Sequence, residues 1–235
     1  MQHLEAPRHL RGLVSVKKPD RKPTLVDRLA LWLSTGRKVD GLWIGTWESE
    51  PQPGLGRIED ALRLIKDHHP LHYSRIIHNL DRIWMRLIPS AEAHYDRSLN
   101  ACVLDERFVL LEATTLERVA STIVHEATHA RLERWGISYE NEKKRPRVEA
   151  ICLRRESNFL TKLPHSEPLQ EEIASTLEWC AGDHGYFSDE SFQQREDQGQ
   201  IETLRYLGAP AWLISFLIRI IRRRRMRLQM ESPRK

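Results

Sequence analysis

A capped helical segment near the middle of the chain, from Thr114 to Gly136, constrains the fold more than any other part of the sequence. Thr114 followed by Glu117 forms a capping-box pattern, and glycine is common just past the end of a helix. Apolar residues recur between them at helical spacing, at Leu116, Ala120, Ile123, Val124 and Ala127. The pattern predicts an amphipathic helix with one face directed into the core.

This predicted helix carries His125, Glu126 and His129 in the pattern HExxH. The two histidines are four residues apart, about one helical turn, so both imidazoles point from one face and can bind one metal ion. Glu126 lies about 100° around the helix from His125 and is placed to act on a water molecule. The pattern predicts two metal ligands and a general base. The alternative is a solvated polar helix face without a metal.

A catalytic zinc ion usually has three protein ligands and an open position, so a third ligand must be found. Glu149 is the best placed, because it lies 20 residues beyond His129 and early in a second helix that we expect to start at Pro146. The other nearby carboxylates are Glu140, Glu142 and Glu156. Glu156 lies two turns along the same helix face as Glu149, so we expect it to contact a ligand rather than the ion.

In these residues the chain resembles the gluzincin metallopeptidases, the thermolysin-like class in which a glutamate on a following helix completes an HExxH site. The resemblance covers about residues 101–160. It implies Zn²⁺ ligands at His125, His129 and Glu149 and a water-activating glutamate at Glu126. It also implies that a strand of the preceding sheet lies beside the substrate.

The resemblance further implies a histidine or tyrosine that stabilises the oxyanion. Residue type alone offers three candidates, Tyr139, His184 and Tyr186.

Two rival metal sites can be compared on the same residues. A metzincin would place a third histidine six residues after the second, where this chain has Trp135. A deformylase-like site would use a cysteine before the motif, and Cys102 is available, but no glycine-rich loop accompanies it.

The elements around the motif predict an α+β fold. Apolar residues at helical spacing indicate two consecutive helices over residues 57–68 and 71–81. Short β-prone runs follow at residues 83–88, 101–104 and 108–111, and the last two are separated as in a hairpin. We therefore expect a helix-rich, zincin-like core with a small antiparallel sheet packed on the HExxH helix.

Composition along the chain suggests three parts. Residues 1–56 are expected to form a basic leader and a short helix, residues 57–190 the metal-binding core, and residues 191–235 a helical extension with a polybasic end. The boundary near residue 56 follows a segment, ESEPQPGLG, whose two prolines and two glycines are typical of a linker.

The C-terminal extension combines an apolar helix with positive charge. Residues Ala211–Ile221 are almost entirely apolar, and Arg222–Arg225 and Arg227 follow at once. This pattern resembles an interfacial anchor that contacts an anionic membrane surface. The alternative is a core helix with a solvated basic tail. Nucleic-acid binding is not expected, because no aromatic residues are interleaved with these arginines.

Cysteine content and the N-terminal residues bear on the compartment. The three cysteines are an odd number at wide spacings without a CxxC pair, which favours a reducing compartment. The first residues have no continuous apolar stretch of the kind that a secretory signal contains. We expect a cytoplasmic protein. A peripheral position on the inner face of the membrane is the alternative.

These features together predict a zinc-dependent hydrolase, a metallopeptidase that acts on a peptide or protein substrate. One alternative is a non-catalytic membrane-associated or interaction protein with a structural zinc site. Glu126 argues against it, since a structural site needs no general base. A zinc hydrolase of non-peptide amides is a further alternative that the sequence leaves open.

Overall fold

The computed structural model describes residues 22–48, 52–182, 185–216 and 218–220. Its helices are α1 (Leu25–Leu33), α2 (Pro53–His68), α3 (Pro70–Asn79), α4 (Glu106–Leu110), α5 (Leu116–Arg134), α6 (Arg145–Leu160), α7 (Glu167–Cys180) and α8 (Asp189–Tyr206). Its strands are β1 (Thr35–Val39), β2 (Leu42–Thr46), β3 (Arg82–Arg86), β4 (Ala93–Asp96) and β5 (Ala101–Asp105). The chain is helix-rich with a small sheet, as predicted.

The strands form one mixed sheet in the order β1-β2-β3-β5-β4. The outer pairs β1/β2 and β4/β5 are antiparallel, whereas β3 is parallel to both β2 and β5. The prediction of an antiparallel sheet is therefore wrong. The physical reason is the connection between β2 and β3, which passes through α2 and α3, because a crossover of this kind returns the chain in the parallel direction.

The strand predicted over residues 108–111 is part of helix α4 instead. Asp105 ends β5 and accepts hydrogen bonds from the backbone N–H groups of Arg107 at 2.8 Å and Phe108 at 3.3 Å. A carboxylate in this position caps the first turn of a helix. The segment predicted as a hairpin turn therefore starts a helix, and the antiparallel partner of β5 is β4.

The described part of residues 1–56 belongs to the same sheet as the predicted core. Ile44 in β2 lies opposite Ile83 in β3, and both side chains are fully buried. Helix α2 runs without interruption through Gly56, near which the sequence suggested a boundary. Residues 1–21 of the leader and residues 49–51 of the suggested linker lie outside the described residues. Strands β1 and β2 are elements that the sequence analysis did not predict.

Helix α5 confirms the capped helix that the sequence predicted between Thr114 and Gly136. Its N-cap is Thr115, one residue later than the predicted Thr114, and its side chain accepts a backbone N–H three residues on at 3.2 Å. At its end, the N–H of Ile137 donates to the carbonyl of Leu132 at 2.9 Å. Gly136 lies between them with φ of 74°, a conformation that favours glycine and closes the helix.

Helix α5 lies at the centre of the described fold and packs against α2, α3, α6 and strands β4 and β5. Its buried apolar side chains include Val119, Ala120, Ile123, Val124, Ala127 and Ala130. Helix α6 begins at Arg145 with Pro146 in its first turn, as predicted, and packs along α5. This pairing brings residues from the second helix to the face of α5 that carries the histidines.

Two segments expose large apolar side chains. On α1 these are Leu25, Val26, Leu29, Trp32 and Leu33. Residues 211–216 and 218–220 are helical, and Trp212 and Phe216 are exposed there. The arginines from Arg222 onward lie outside the described residues. None of the helices in the described ranges combines the length and the apolar character that crossing a membrane requires.

Candidate metal centre

Helix α5 presents His125 and His129 on one buried face. Their ring centroids are 5.1 Å apart, and the side chains are 2% and 7% exposed. The spacing of one helical turn accounts for this arrangement, as the sequence predicted. Helix α6 supplies Glu149, which is fully buried against the same face.

The Glu149 carboxylate lies between the two imidazoles. Its Oε2 atom is 3.3 Å from Nε2 of His125, and its Oε1 atom is 3.3 Å from Nε2 of His129. These contacts do not have the directions of hydrogen bonds: Nε2 of His129 and both carboxylate oxygens are buried without a hydrogen-bond partner among the described residues. Buried polar atoms without partners are costly, so their convergence on one point requires a physical reason.

A shared metal ion would account for this convergence. Atoms bound to one tetrahedral zinc ion at about 2.0–2.1 Å lie about 3.3 Å from each other. Each oxygen of the Glu149 carboxylate lies 3.3 Å from a different Nε2 atom, so each of the two pairs has the separation of neighbouring ligands of one ion. Two imidazoles and one carboxylate form a known zinc donor set, and the same set accepts other divalent ions. The residues present therefore fit a metal ion.

Cys152 is a second candidate for the third ligand. Its Sγ atom and the ligand nitrogens of His125 and His129 all lie within 4.8 Å of one another. Burial raises the pKa of the Cys152 thiol well above its ordinary value, and the charge of Glu149 raises it further. A thiol must be deprotonated to bind a metal ion, so the closer and ionised Glu149 is the better ligand.

Charge at the centre favours an ionised Glu149. Burial alone would raise the pKa of Glu149, but the adjacent positive charges of His129 and His125 lower it well below its ordinary value. Burial likewise opposes a charge on His125, whereas Glu149 and Glu156 more than offset it and raise the pKa of His125. The carboxylates thus favour positive charge at the position of the His125 ring.

Glu156 contacts the far side of His125. Its Oε2 atom lies 3.0 Å from Nδ1 of His125, and the carboxylate is fully buried. A carboxylate at this position sets the orientation of the ring and directs the opposite nitrogen, Nε2, towards the metal position. The structure thus places Glu156 beside a candidate ligand, in the supporting position predicted from the sequence.

Glu126 follows His125 on α5 and is 2% exposed. Burial raises the pKa of the Glu126 carboxyl, and the charges of His129 and His125 oppose this shift. A raised pKa brings a carboxyl group closer to the pH at which it can both accept and donate a proton. Glu126 therefore has the electrostatic setting of a general base.

Among the three candidates for oxyanion stabilisation, Tyr139 lies beside the centre. Its ring packs edge-on against His129 with centroids 5.3 Å apart, and its hydroxyl is buried without a hydrogen-bond partner among the described residues. Burial raises the pKa of the Tyr139 hydroxyl, and the charge of Glu149 raises it further. Tyr186 packs on Trp179 at 5.0 Å. His184 lies outside the described residues.

The remaining candidates lie elsewhere or play other parts. Glu140 forms an ion pair with Arg97. Glu142 lies in a 3-10 helical turn, Glu142–Lys144, and is exposed. Cys102 is buried in β5, where burial and the charge of Glu126 raise the pKa of its thiol. The structure thus brings His125, His129 and Glu149 together and leaves Glu140 and Glu142 apart from them.

The sequence analysis missed Arg145, which is only 1% exposed. Its guanidinium donates hydrogen bonds to the carbonyls of Tyr139 at 3.0 Å and Phe187 at 2.7 Å, and pairs with Asp189 at 2.6 Å. It thereby joins the loop that carries Tyr139 to the beginning of α8. A charged residue in the first turn of a helix is ordinarily exposed, so no local signal predicted its burial.

Comparison of the chain with known protein families, with curated proteins and with solved structures found no match in any of the three. The resemblance to gluzincins therefore stays a prediction. Inference about function depends on the arrangement of His125, His129, Glu149 and Glu126.

Proposed function

We propose that the protein is a zinc-dependent hydrolase that cleaves peptide bonds, of the gluzincin type. The observation that carries this proposal is the position of the Glu149 carboxylate, with one oxygen 3.3 Å from Nε2 of each histidine of the HExxH pair. In this proposal His125, His129 and Glu149 hold the ion, and Glu156 orients His125.

The chemistry divides between the ion and the side chains. Bound zinc supplies Lewis acidity, which polarises the scissile carbonyl group. Glu126 accepts a proton from the attacking water at a carboxylate oxygen and then donates it to the nitrogen of the leaving amine. In this proposal the Tyr139 hydroxyl, whose ring packs 5.3 Å from that of His129, donates a hydrogen bond to the developing oxyanion.

A structural metal site is the second candidate function. The observation in its favour is burial: His125, Glu126, His129 and Glu149 are at most 7% exposed. Structural zinc sites are closed, whereas catalytic sites keep one position open for water or substrate. Glu126 distinguishes the two kinds of site. A catalytic site needs a carboxylate beside the ion as a general base, whereas a structural site does not. Hydrolysis of a non-peptide amide would use the same residues.

The test is Glu126→Gln, which preserves shape and removes the base. We expect this variant to retain zinc at the wild-type stoichiometry and to lose at least about 100-fold in the rate of peptide hydrolysis, the usual contribution of general-base catalysis. Zinc content is measured by atomic spectroscopy on purified protein, and cleavage by mass spectrometry on a mixed peptide library.

Glu117→Gln, in the first turn of the same helix, is the matched control and should leave both measurements unchanged. Undiminished cleavage by Glu126→Gln would refute the assigned mechanism. Zinc bound by the wild-type protein without cleavage of any peptide or amide would instead favour the structural site.

We propose in addition that the C-terminal helix contacts an anionic membrane surface from the cytoplasmic side. The supporting observation is that Trp212, Phe216 and Ile220 are 70%, 56% and 44% exposed, so these apolar side chains do not pack into the described core. The run of arginines that follows them in the sequence supplies the complementary charge.

A further inference from the structure

A second concave site lies on another face of α5, between α3, α5 and α6. It is a cavity of about 40 Å³. The polar side chains that line it are Arg75, Arg131, Arg155, His72 and Thr128. Arg131 and Thr128 lie on the helix that carries the HExxH motif, but the metal-centre residues do not line this cavity. The cavity is thus a separate site, and none of the roles assigned above uses its arginines.

Three arginines from three helices line this cavity, together with the apolar side chains of Ile76, Val124, Ala127, Leu132, Trp135 and Ile151. Within the part of the chain that the structure describes, Arg75, Arg131 and Arg155 have no carboxylate partner. Burial lowers the pKa of Arg75, and the positive charges of Arg131 and Arg155 lower it further. By contrast, Arg118 pairs with Glu172 at 2.8 Å. Like charges held together without a counter-ion destabilise a fold, so an anion in the cavity would relieve this repulsion.

His72 adds a buried polar group to the same cavity. It is 4% exposed, and its Nε2 atom has no hydrogen-bond partner among the described residues. Burial lowers the pKa of His72 to about 4, and the neighbouring charges of His69 and Arg75 contribute. The ring is therefore neutral near pH 7, with one nitrogen protonated and one not. A buried polar atom without a partner costs free energy unless a ligand supplies one.

Size and charge together select the ligand. A cavity of this volume accommodates on the order of three water-sized groups. A tetrahedral oxyanion has four oxygens, so at least one of them would lie at the mouth of the cavity, beside the exposed Arg155. Three guanidiniums present planar forks of N–H donors, and phosphate, with a charge of about −1.5 to −2 near pH 7, offers several oxygens that accept from them. A carboxylate has one negative charge and two oxygens, too few to satisfy three separate cations.

We propose that this cavity binds a phosphate group, inorganic phosphate or a phosphate monoester, through Arg75, Arg131 and Arg155. The site is independent of the proposed hydrolase activity. Arg131 is also held in place by Trp135, which lines the same cavity, because its guanidinium stacks 4.2 Å from the ring centroid of Trp135. The phosphate would connect α3, α5 and α6 through their side chains.

The experiment is a calorimetric titration of the full-length protein with inorganic phosphate, at constant ionic strength set with chloride. Arg131→Gln and Arg155→Gln are compared with Arg154→Gln, the matched control, because Arg154 is the exposed neighbour of Arg155 and does not line the cavity. Each titration is repeated after a chelator has removed bound metal, so that phosphate bound by the metal centre does not contribute.

We expect saturable binding by the wild type and by Arg154→Gln, and at least tenfold weaker binding by Arg131→Gln and Arg155→Gln. Because Arg155 is exposed, its variant should keep the native circular dichroism spectrum, which separates loss of binding from loss of folding. Absence of saturable phosphate binding, or equal affinity in all four proteins, would overturn the proposal.

Two further arms identify the source of the phosphate. Glycerol 3-phosphate tests a soluble monoester, and vesicles with phosphatidic acid, compared with vesicles of phosphatidylserine, test a lipid headgroup. If either ligand competes with inorganic phosphate in the wild type and not in Arg155→Gln, the result supports the site and identifies the source of the phosphate group.

Discussion

At the candidate metal centre, Nε2 of His129 and both carboxylate oxygens of Glu149 are buried without a hydrogen-bond partner among the described residues. Glu149 and His129 approach each other to 3.3 Å, yet neither makes a hydrogen bond through these atoms. Glu149 and Glu156 raise the pKa of His125, which favours positive charge beside the carboxylates. A divalent ion would satisfy all the converging donors at once.

The choice between Glu149 and Cys152 as third ligand is the first prediction at this scale. Glu149→Gln should lower zinc affinity strongly, since the neutral amide is a poor ligand, whereas Cys152→Ala should retain the ion. Both are measured by competition with a chelating dye. Glu142→Gln, an exposed carboxylate apart from the centre, is the control.

Cobalt substitution adds a spectroscopic readout to this comparison. Ligation by Glu149 predicts a Co²⁺ protein without a thiolate-to-metal charge-transfer band. Such a band in the wild type, lost in Cys152→Ala, would assign the third position to the cysteine and contradict the prediction.

Glu156 is predicted to act through His125. Because its carboxylate lies 3.0 Å from Nδ1 of His125, Glu156→Gln should leave the site intact but weaken zinc affinity by about 10–100-fold, the usual effect of removing a carboxylate behind a metal-bound histidine. Glu171→Gln on α7 is exposed and serves as the control. Wild-type zinc affinity in Glu156→Gln would show that the carboxylate has only a packing role.

Packing between α8 and the loop that carries Tyr139 forms the surface beside the candidate metal centre. Helix α8 contributes Phe192, whose ring lies 6.2 Å from that of Tyr139. Farther along the same helix, Gly199 lies so close to Ser90 that a Cβ atom would overlap the Ser90 backbone nitrogen. Close approach of this kind requires glycine. The position of α8 therefore depends on Gly199. The surface that Phe192 and Tyr139 form beside the candidate metal centre depends on it as well.

A pair of glycine substitutions tests this contact. Gly199→Ala should lower the free energy of unfolding by about 1–3 kcal/mol, since the Ser90 backbone must move. Gly56→Ala in α2 is the opposite control: nothing lies within 4 Å of the added Cβ, so we expect it to stabilise the protein by about 0.4–1 kcal/mol. Urea unfolding measures both. Equal stability of Gly199→Ala and wild type would show that α8 is not held at this contact.

In the described part of the molecule, apolar side chains are exposed on α1 and at Trp212, Phe216 and Ile220, while the candidate metal centre is enclosed by α5, α6 and the loop that carries Tyr139. The proposed membrane contact and the proposed chemistry are thus carried by different parts of the chain. Loss of one should leave the other intact.

Removal of residues 211–235 tests this separation. The truncated protein should bind anionic vesicles more weakly and keep its zinc content, because five arginines contribute about 1 kcal/mol each near an anionic surface. Flotation with anionic and zwitterionic vesicles, at low and high salt, measures the effect. Replacement of the five arginines by glutamine is the control that keeps the apolar helix. Unfolding of the truncated chain, or unchanged vesicle binding, would contradict the proposed contact.

The sequence by itself determined the features that depend on local spacing. The HExxH spacing places His125 and His129 on one face, Gly136 ends α5, and Pro146 starts α6, because helix periodicity and capping act over a few residues. The sequence indicates Glu149 because it lies early in the helix started by Pro146 and 20 residues beyond His129, the offset that the resemblance to gluzincins calls for. In the structure its carboxylate lies between the imidazoles.

Only the tertiary structure decided what depends on distant contacts. The parallel pairing of β3 with β2 and β5, the burial of Arg145 and the nearness of Cys152 to the histidines arise from elements that meet after long separations in the chain. The strand predicted over 108–111 became helix α4 because Asp105 caps it and the central sheet continues elsewhere. The intrinsic preference of a short segment for strand or helix corresponds to little free energy, so packing against the rest of the fold decides which one forms.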